Sequence, residues 1–139
     1  MKIEIYTDGS CSGNPGPGGW ASVILMSDRE IKISGGEKMT TNNRMEMTAI
    51  IEALQWLKKS SGLPETELSQ ADITLFSDSN LLMQTLIQGW KRKANLDLWE
   101  KLDRARGWLT IKWVWVKGHS TNKYNNLADK LAVAACRKN

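Results

Sequence analysis

Two short apolar segments of the chain end alike, each on an aspartate. Residues 6–10 and 76–80 both read aromatic, hydroxyl, aspartate, small, polar, with Asp8 and Asp78 in the third place. If the two segments are parallel neighbouring strands, their carboxyl ends lie side by side, about 5 Å apart, at the edge where open α/β sheets bind ligands. An aspartate after a strand is also a common turn or helix-capping residue, so neither one alone indicates a site.

Two further acids lie on faces of predicted helices that are otherwise largely apolar. Along the helical repeat, Glu46 and Asp129 are each followed on the same face by apolar residues. These are Ile50, Ala53 and Leu57 after Glu46, and Ala132, Val133 and Cys136 after Asp129. Acids near a helix N-terminus favour the helix dipole, which explains their position along the helix but not their inward face.

Four such carboxylates in one place would repel one another unless a cation lay between them. At an effective dielectric constant near 20, each pair about 4–5 Å apart costs about 3–4 kcal/mol. No Lys or Arg occupies an equivalent inward position in these segments, and all-oxygen ligands favour Mg²⁺ or Mn²⁺ over zinc. Because Mg²⁺ binds jointly to carboxylates and substrate phosphates, the spacing indicates metal-assisted phosphoryl chemistry.

Alternating and 3.6-residue apolar patterns predict the strands and helices that position these acids. Predicted strands cover 3–7, 20–26, 30–34, 73–76 and 111–116; predicted helices run from the capping residues at 40–43 to 59 and over 81–87, 96–106 and 124–137; loops are predicted at 10–19 and 60–72. Strands first, and then strands alternating with helices, indicate one α/β domain over residues 1–139 around a mixed sheet.

The composition is that of an ordinary folded domain. The 139 residues are 41% hydrophobic and 24% charged, which excludes disordered, collagen-like and simple coiled-coil chains. A net charge of +4 is compatible with a polyanionic partner without establishing one. Cys11 and Cys136 have no metal-site spacing, and no signal peptide or membrane span is visible. We therefore expect a reduced, cytoplasmic protein with no membrane partner.

A glycine-rich segment at residues 9–19 follows the first aspartate. Glycine-rich loops can cradle phosphates, but this one lacks the Gly-Lys-Ser/Thr ending of a nucleotide-binding P-loop. The sequence therefore predicts no nucleotide cofactor.

Five motifs follow one another along the chain: TDGSC at 7–11, GNPGPGG at 13–19, TNNRME at 41–46, SDS at 77–79 and VKGH at 116–119. Together they resemble type 1 ribonuclease H, over nearly the whole chain and in the family's order, although each motif alone is common. The resemblance implies a five-stranded mixed sheet of order 3-2-1-4-5. Strands 1, 2 and 3 would be antiparallel, strands 1, 4 and 5 parallel, and helices would cover both faces.

The resemblance also implies the reaction and the metal ligands. Enzymes of the family hydrolyse the RNA strand of an RNA–DNA hybrid endonucleolytically and leave 5′-phosphate and 3′-hydroxyl ends. The four metal-binding acids correspond to Asp8, Glu46, Asp78 and Asp129. Asp8 would bridge two Mg²⁺ ions about 4 Å apart, with Mn²⁺ as a substitute. One ion, held with Asp129, would activate water, and the other, held with Glu46 and Asp78, would stabilise the leaving 3′-oxygen. We expect a monomer.

Further polar residues are assigned roles by the resemblance alone. His119, the single histidine, corresponds to the family's loop histidine, and imidazole suits proton transfer or product release at neutral pH. Amide side chains suit the minor groove of the hybrid, because they satisfy 2′-hydroxyls and base edges at once. The expected substrate contacts are Cys11, Asn14, Asn42 and Asn43 in that groove, Thr41 near the DNA backbone, and Asn80. Otherwise Cys11 is a packing residue and His119 a solvated loop residue.

The sequence departs from many bacterial relatives after the helix at 81–87. Those relatives insert an extra helix and a Lys/Arg-rich protrusion, whereas here a short basic run at 89–95 leads directly to the next helix. Its side chains either grip phosphates of the DNA strand or form a solvated charge cluster; they are Trp90, Lys91, Arg92 and Lys93. Four other tryptophans are expected in the core: Trp56, Trp99, Trp113 and Trp115.

Two other functions remain open from the sequence. An integrase-type strand transferase or a junction resolvase would share the fold, but the Asn-Asn-Arg-Met-Glu run at 42–46 and the glycine-rich segment disfavour it. A non-catalytic module that binds RNA–DNA hybrids would not need acids at all four positions. The sequence therefore favours a metal-dependent endoribonuclease.

Overall fold

The computed structural model describes residues 1–118 and 121–139. Within them the chain forms five strands and five helices, in the order β1 (Lys2–Cys11), β2 (Gly16–Met26), β3 (Arg29–Thr40), α1 (Asn42–Ser60), α2 (Glu65–Ser69), β4 (Asp72–Ser77), α3 (Asn80–Gln88), α4 (Leu96–Arg106), β5 (Ile111–Trp115) and α5 (Lys123–Arg137). None of the helices in these ranges is both long enough and apolar enough to cross a membrane.

The five strands form one mixed sheet in the order β3-β2-β1-β4-β5. β1 pairs antiparallel with β2, and β2 with β3, whereas β4 and β5 continue the sheet parallel to β1. Tyr6 of β1 lies beside Phe76 of β4, and their rings stack with centroids 4.6 Å apart. The predicted strand order is confirmed, and it brings the residues that follow these two strands to one edge of the sheet.

Alternation along the strands divides the interior into two layers. On one face, Ile3 and Ile5 of β1 join a large buried cluster with apolar residues of α1 and α4. On the other face, Tyr6 packs with Val23 and with Ala128 of α5. Helices therefore cover both faces of the sheet, as predicted, and α1 and α5 flank β1 from opposite sides.

The glycine-rich segment predicted as a loop over residues 10–19 is mostly strand, so this prediction was wrong. β2 already begins at Gly16, and its first residues pair with the end of β1. A Cβ at Gly19 would lie 2.3 Å from the main-chain nitrogen of Cys136. Glycine is needed at this point because α5 packs directly against the strand, and not because the chain turns.

The predicted loop at 60–72 contains the short helix α2, which was also missed. Pro64 precedes this helix, and its Leu68 is buried in the main cluster. A single helical turn that buries one leucine is too short to show a helical period in the sequence.

Three of the four tryptophans expected in the core contribute to it. Trp99 is buried, and Trp56 and Trp113 pack against the main cluster. Trp115 is 45% exposed, so the prediction was wrong for this residue. It ends the edge strand β5, and its indole N–H donates a hydrogen bond of 3.2 Å to the main-chain oxygen of Asp78.

Candidate active site

Three carboxylates from distant parts of the chain converge at the edge of the sheet. Asp8 lies near the end of β1, Asp78 directly follows β4, and Glu46 lies in the second turn of α1. Their ligand oxygens lie within 4.8 Å of one another. They line a cavity of about 150 Å³, together with Asp129 of α5. The parallel pairing of β1 and β4 accounts for the meeting of the two aspartates, as the sequence predicted.

The approach of α1 to β1 brings Glu46 into this cluster. A Cβ at Gly9 would lie only 2.5 Å from the main-chain nitrogen of Glu46, so the contact requires glycine after Asp8. The side chain of Thr41 caps α1 by accepting a hydrogen bond of 3.2 Å from the main-chain N–H of Arg44. The start of α1 thus lies directly against the end of β1. Glu46 is buried, as the apolar residues on its helical face predicted.

The cluster is electrostatically strained in the absence of a cation. Burial, followed by the charge of Asp78 and a hydrogen bond with Asp129, raises the pKa of Asp8 to about 8, although the N–H of Gly9 acts in the opposite direction. Burial, and then the charges of Asp8 and Asp78, raises the pKa of Glu46 well above its ordinary value. A divalent cation bound among these carboxyl groups would stabilise their ionised forms and relieve the repulsion between them.

The residues of this cavity fit a hard divalent cation. The buried Oε2 atom of Glu46 has no hydrogen-bond partner among the described residues, although buried polar oxygens are nearly always paired. The cavity lining, within residues 1–118 and 121–139, consists of carboxylates, asparagines and one glycine, without Lys or Arg. Oxygen ligands of this kind suit Mg²⁺ or Mn²⁺ and not zinc.

Asp129 differs from its predicted environment. It lines the cavity and hydrogen-bonds to Asp8, but its side chain is exposed and not part of a buried face. The prediction that Asp129 lies on an inward, buried face of its helix was therefore wrong. Ala132 and Cys136, further along the same face, are buried, because this part of α5 packs against Gly19 of β2.

The predicted catalytic His119 lies outside the described residues. The residue before it, Gly118, is described, and a Cβ at this position would lie 3.3 Å from Oδ2 of Asp78. The loop after β5 therefore reaches the acidic cluster.

Two cavity residues were not identified from the sequence. Asn125 and Asn126 line the cavity beside Asp129, and Asn125 is 4% exposed. They precede Asp129 by four and three residues, so helical spacing was the signal that could have found them. Asn122 begins α5 by accepting hydrogen bonds from the N–H groups of Tyr124 and Asn125, which brings these amides next to the acids.

Some of the residues expected to contact the minor groove form hydrogen bonds within the protein. Oδ1 of Asn14 accepts a hydrogen bond of 3.0 Å from the main-chain N–H of Asn42. The thiol of Cys11 donates to the main-chain oxygens of Gly16 and Thr40, at 3.5 and 3.4 Å. Asn42 lines the cavity itself, while Asn80, the first residue of α3, is exposed.

A second depression of about 440 Å³ lies between α1, α3 and the segment 89–95, which we call the basic connector. Asn43 of α1 forms one side of this groove, and Trp90, Lys91 and Lys93 of the connector form another. Arg92 points elsewhere. Its guanidinium lies 4.2 Å from the ring centroid of Trp99 and bonds to Asp103 at 2.6 Å. Of the four connector residues predicted to contact phosphates, three therefore line the groove, and Arg92 is bound to α4.

Comparison with known proteins gives an extensive match. A family model for RNase H matches residues 1–137 of the chain. Ribonuclease H of Acetivibrio thermocellus is 42% identical, in an alignment that covers 99% of this chain and 97% of the relative. Ribonuclease HI of Rickettsia prowazekii is 46% identical, in an alignment that covers 95% of this chain and 89% of the relative.

Solved structures agree with this match. A crystal structure of LC11-RNase H1 in complex with an RNA/DNA hybrid has a TM-score of 0.79 at 25% identity, covering 98% of this chain and 97% of that one. RNase H1 from the halophilic archaeon Halobacterium salinarum has a TM-score of 0.75 at 28% identity, and each chain is covered over 100% of its length. The sheet, the acidic cavity and these similarities agree, and the chain belongs to the ribonuclease H family.

Proposed function

We propose that the chain is a single catalytic domain, residues 1–139, which hydrolyses the RNA strand of RNA–DNA hybrids endonucleolytically with divalent cations. The observation that carries this proposal is the convergence of Asp8, Glu46 and Asp78 within 4.8 Å, with a buried Glu46 oxygen left without a partner in the described structure. A module that only binds hybrids would gain nothing from buried, mutually repelling acids. Catalysis is therefore favoured over binding alone.

Four acids would hold two Mg²⁺ ions, or Mn²⁺ in their place: Asp8, Glu46, Asp78 and Asp129. Bound there, the ions would stabilise charge on the scissile phosphate and activate a water molecule. Asp8 suits a ligand shared by both ions, since it belongs to the cluster with Glu46 and Asp78 and also bonds to Asp129. Asp129 is exposed, so an ion held there would remain accessible to water. Hydrolysis with the 3′-oxygen as the leaving group would give a 5′-phosphate and a 3′-hydroxyl.

The substrate proposal is supported by the LC11 relative, which was solved with an RNA/DNA hybrid. Asn14, Asn42 and Asn43 would contact the minor groove, because their amides can satisfy the 2′-hydroxyls that distinguish RNA. Cys11, Thr41 and Asn80 would contact the hybrid beside them, and His119 would assist proton transfer or product release by resemblance to the family. That the enzyme is a cytoplasmic monomer without a nucleotide cofactor stays a prediction.

The proposal is tested by cleavage of an end-labelled RNA–DNA hybrid beside RNA–RNA and DNA–DNA duplexes. We expect endonucleolytic products from the RNA strand of the hybrid only, with Mg²⁺ or Mn²⁺ and not with a chelator. Treatment of the products with a phosphatase and a kinase identifies their ends. Cleavage of DNA duplexes or four-way junctions would indicate the integrase or resolvase alternative, and hybrid binding without cleavage would indicate a binding module.

The basic connector gives a separate prediction about affinity. Replacing Lys91 and Lys93 together with Ala should weaken hybrid binding and reduce the slope of log K against log salt by about 1–2, because each lost phosphate contact contributes about 0.7–0.9. Arg92→Gln provides the comparison, since Arg92 bonds to Asp103 and does not itself line the groove. It should lower stability slightly and leave the salt slope nearly unchanged. Fluorescence anisotropy at several salt concentrations measures both, and equal slopes for all three proteins would show that the lysines make no phosphate contact.

A further inference from the structure

The start of α1 is bound to the start of α4 by one arginine. Nη2 of Arg44 bonds to Oδ2 of Asp97 at 2.8 Å, and Nη1 bonds to Oδ1 of the same carboxylate at 3.0 Å. Nη1 also donates to Oδ1 of Asn95 at 3.2 Å. This arrangement, which we call the Arg44 clasp, joins residues that are 51 and 53 positions apart in the chain. A bidentate arginine–carboxylate pair fixes orientation as well as distance.

The clasp holds the end of the basic connector. Asn95, the last connector residue, has a left-handed backbone with φ of 56°, which asparagine tolerates, and its side-chain oxygen is fixed by the hydrogen bond from Arg44. Three residues earlier, Arg92 is held by Trp99 and Asp103 of α4. The groove residue Lys93 therefore lies between two fixed points, and Lys91 directly precedes the first of them.

The other end of the clasp lies beside the active site. Arg44 directly follows the groove residue Asn43 and precedes Glu46 by two residues. A single guanidinium therefore connects the basic connector to α1, the helix that carries Glu46. The hydrogen bond with Arg44 lowers the pKa of Asp97 to about 2, in agreement with the bidentate pairing.

We propose that Arg44 is a positioning residue that aligns the basic connector with the acidic cavity, so that Lys91 and Lys93 meet the hybrid in a fixed register. In a chain with a short connector, binding would then depend on preorganisation of these lysines more than on their number. The inference rests on the proposed function, because it assumes that the groove receives the hybrid.

Asp97→Asn tests this inference, because simple electrostatics and the clasp predict opposite results. Removing a negative charge near a polyanion should tighten binding if only charge matters. If the clasp positions the connector, the hybrid Kd in chelator should instead rise about two- to fivefold, with kcat nearly unchanged. Glu100→Gln is the matched control. It removes one acid from the same helix, where Glu100 pairs with Arg104 on the exposed surface, and should leave the Kd equal or slightly lower.

Amide hydrogen exchange on the free protein provides a readout that does not depend on the substrate. Asp97→Asn should speed exchange in residues 89–95 about two- to fivefold, and Glu100→Gln should not. In the double variant with Arg44→Gln, the two losses of affinity should not add, because either substitution alone opens the clasp. Unchanged or tighter binding by Asp97→Asn, additive losses, or unchanged exchange would each overturn the inference. A wild-type protein that fails to bind the hybrid while exchange still responds would refute the proposed function instead.

Discussion

Asp8→Asn is expected to abolish hybrid cleavage and, at the same time, to stabilise the metal-free protein. The loss of activity should be about 10³-fold or more, because a shared cation ligand supports several kcal/mol of transition-state stabilisation. The gain in the free energy of unfolding should be about 1–3 kcal/mol at pH 8, since the amide removes a buried charge that repels Asp78 and Glu46. Steady-state cleavage with Mg²⁺ and urea unfolding in chelator measure the two effects.

The dependence on pH makes this prediction specific to the carboxyl group. An aspartate in the unfolded chain titrates near pH 3.9, whereas burial and neighbouring acids raise the pKa of Asp8 in the folded protein to about 8. Between these values the folded state binds the additional proton, so the metal-free wild type should lose stability as pH rises from about 4 to 8. Asp8→Asn should lack the part of this loss that Asp8 contributes, while the part due to Glu46, whose pKa is also raised, remains. The gap between the two proteins should therefore widen over that range.

A matched substitution separates this effect from a general response to asparagine. Asp72→Asn changes an exposed aspartate at the start of β4, in the same sheet, and should alter neither activity nor the pH profile of stability. Mg²⁺ should stabilise the wild type by binding the folded state alone, and this stabilisation should largely disappear in Asp8→Asn. A variant at Asp8 that is less stable than the wild type in chelator at pH 8 would contradict the repulsive cluster.

Gly9→Ala is expected to damage both stability and activity. The added methyl group would lie 2.5 Å from the main-chain nitrogen of Glu46 and 2.9 Å from Cβ of Met45, and neither β1 nor α1 can move without disturbing the main core. We expect a loss of about 2–3 kcal/mol in the free energy of unfolding and a fall in cleavage rate of about 10²-fold, since a shift near 1 Å misplaces the Glu46 ligand. Urea unfolding and kcat measure these losses.

Gly62→Ala is the comparison for that variant. A methyl group added at Gly62 would have no atom of the described residues within 4 Å, but the φ of Gly62 is +79°. The substitution should therefore cost about 1 kcal/mol through backbone strain, without any effect on kcat. If Gly9→Ala had the same unfolding free energy and cleavage rate as Gly62→Ala, the close approach of α1 to β1 would not determine the position of Glu46 in the active site.

The order of the sheet was implied by the resemblance to type 1 ribonuclease H, whereas the acidic cluster could be predicted because its signals are local. Asp8 and Asp78 each follow the apolar part of a strand, and parallel pairing of those strands then determines that they meet. Glu46 was predicted to face inward because three apolar residues repeat on its helical face, and it is buried.

The features that could not be predicted depend on contacts between distant segments. Glycines near the end of β1 and start of β2 suggested a turn, whereas Gly19 is required by the approach of α5, which the local sequence does not contain. The exposure of Asp129 depends on its place at the open cavity, which the spacing of apolar residues along α5 does not reveal. The pairing of Arg44 with Asp97 spans 53 residues, and charged residues on two separate helices give no signal that they will meet.

The wide spacing of the acidic residues along the chain bears on how this enzyme is made. Asp8, Glu46 and Asp78 are contributed by a strand, a helix and the end of a second strand, while Asp129 is supplied by α5, the last element of the fold. A nascent chain still lacking α5 would hold an incomplete set of ligands, and β1 and β2 would lack the helix that packs on them. Cleavage of hybrids should therefore begin only after α5 has left the ribosome and packed against the sheet.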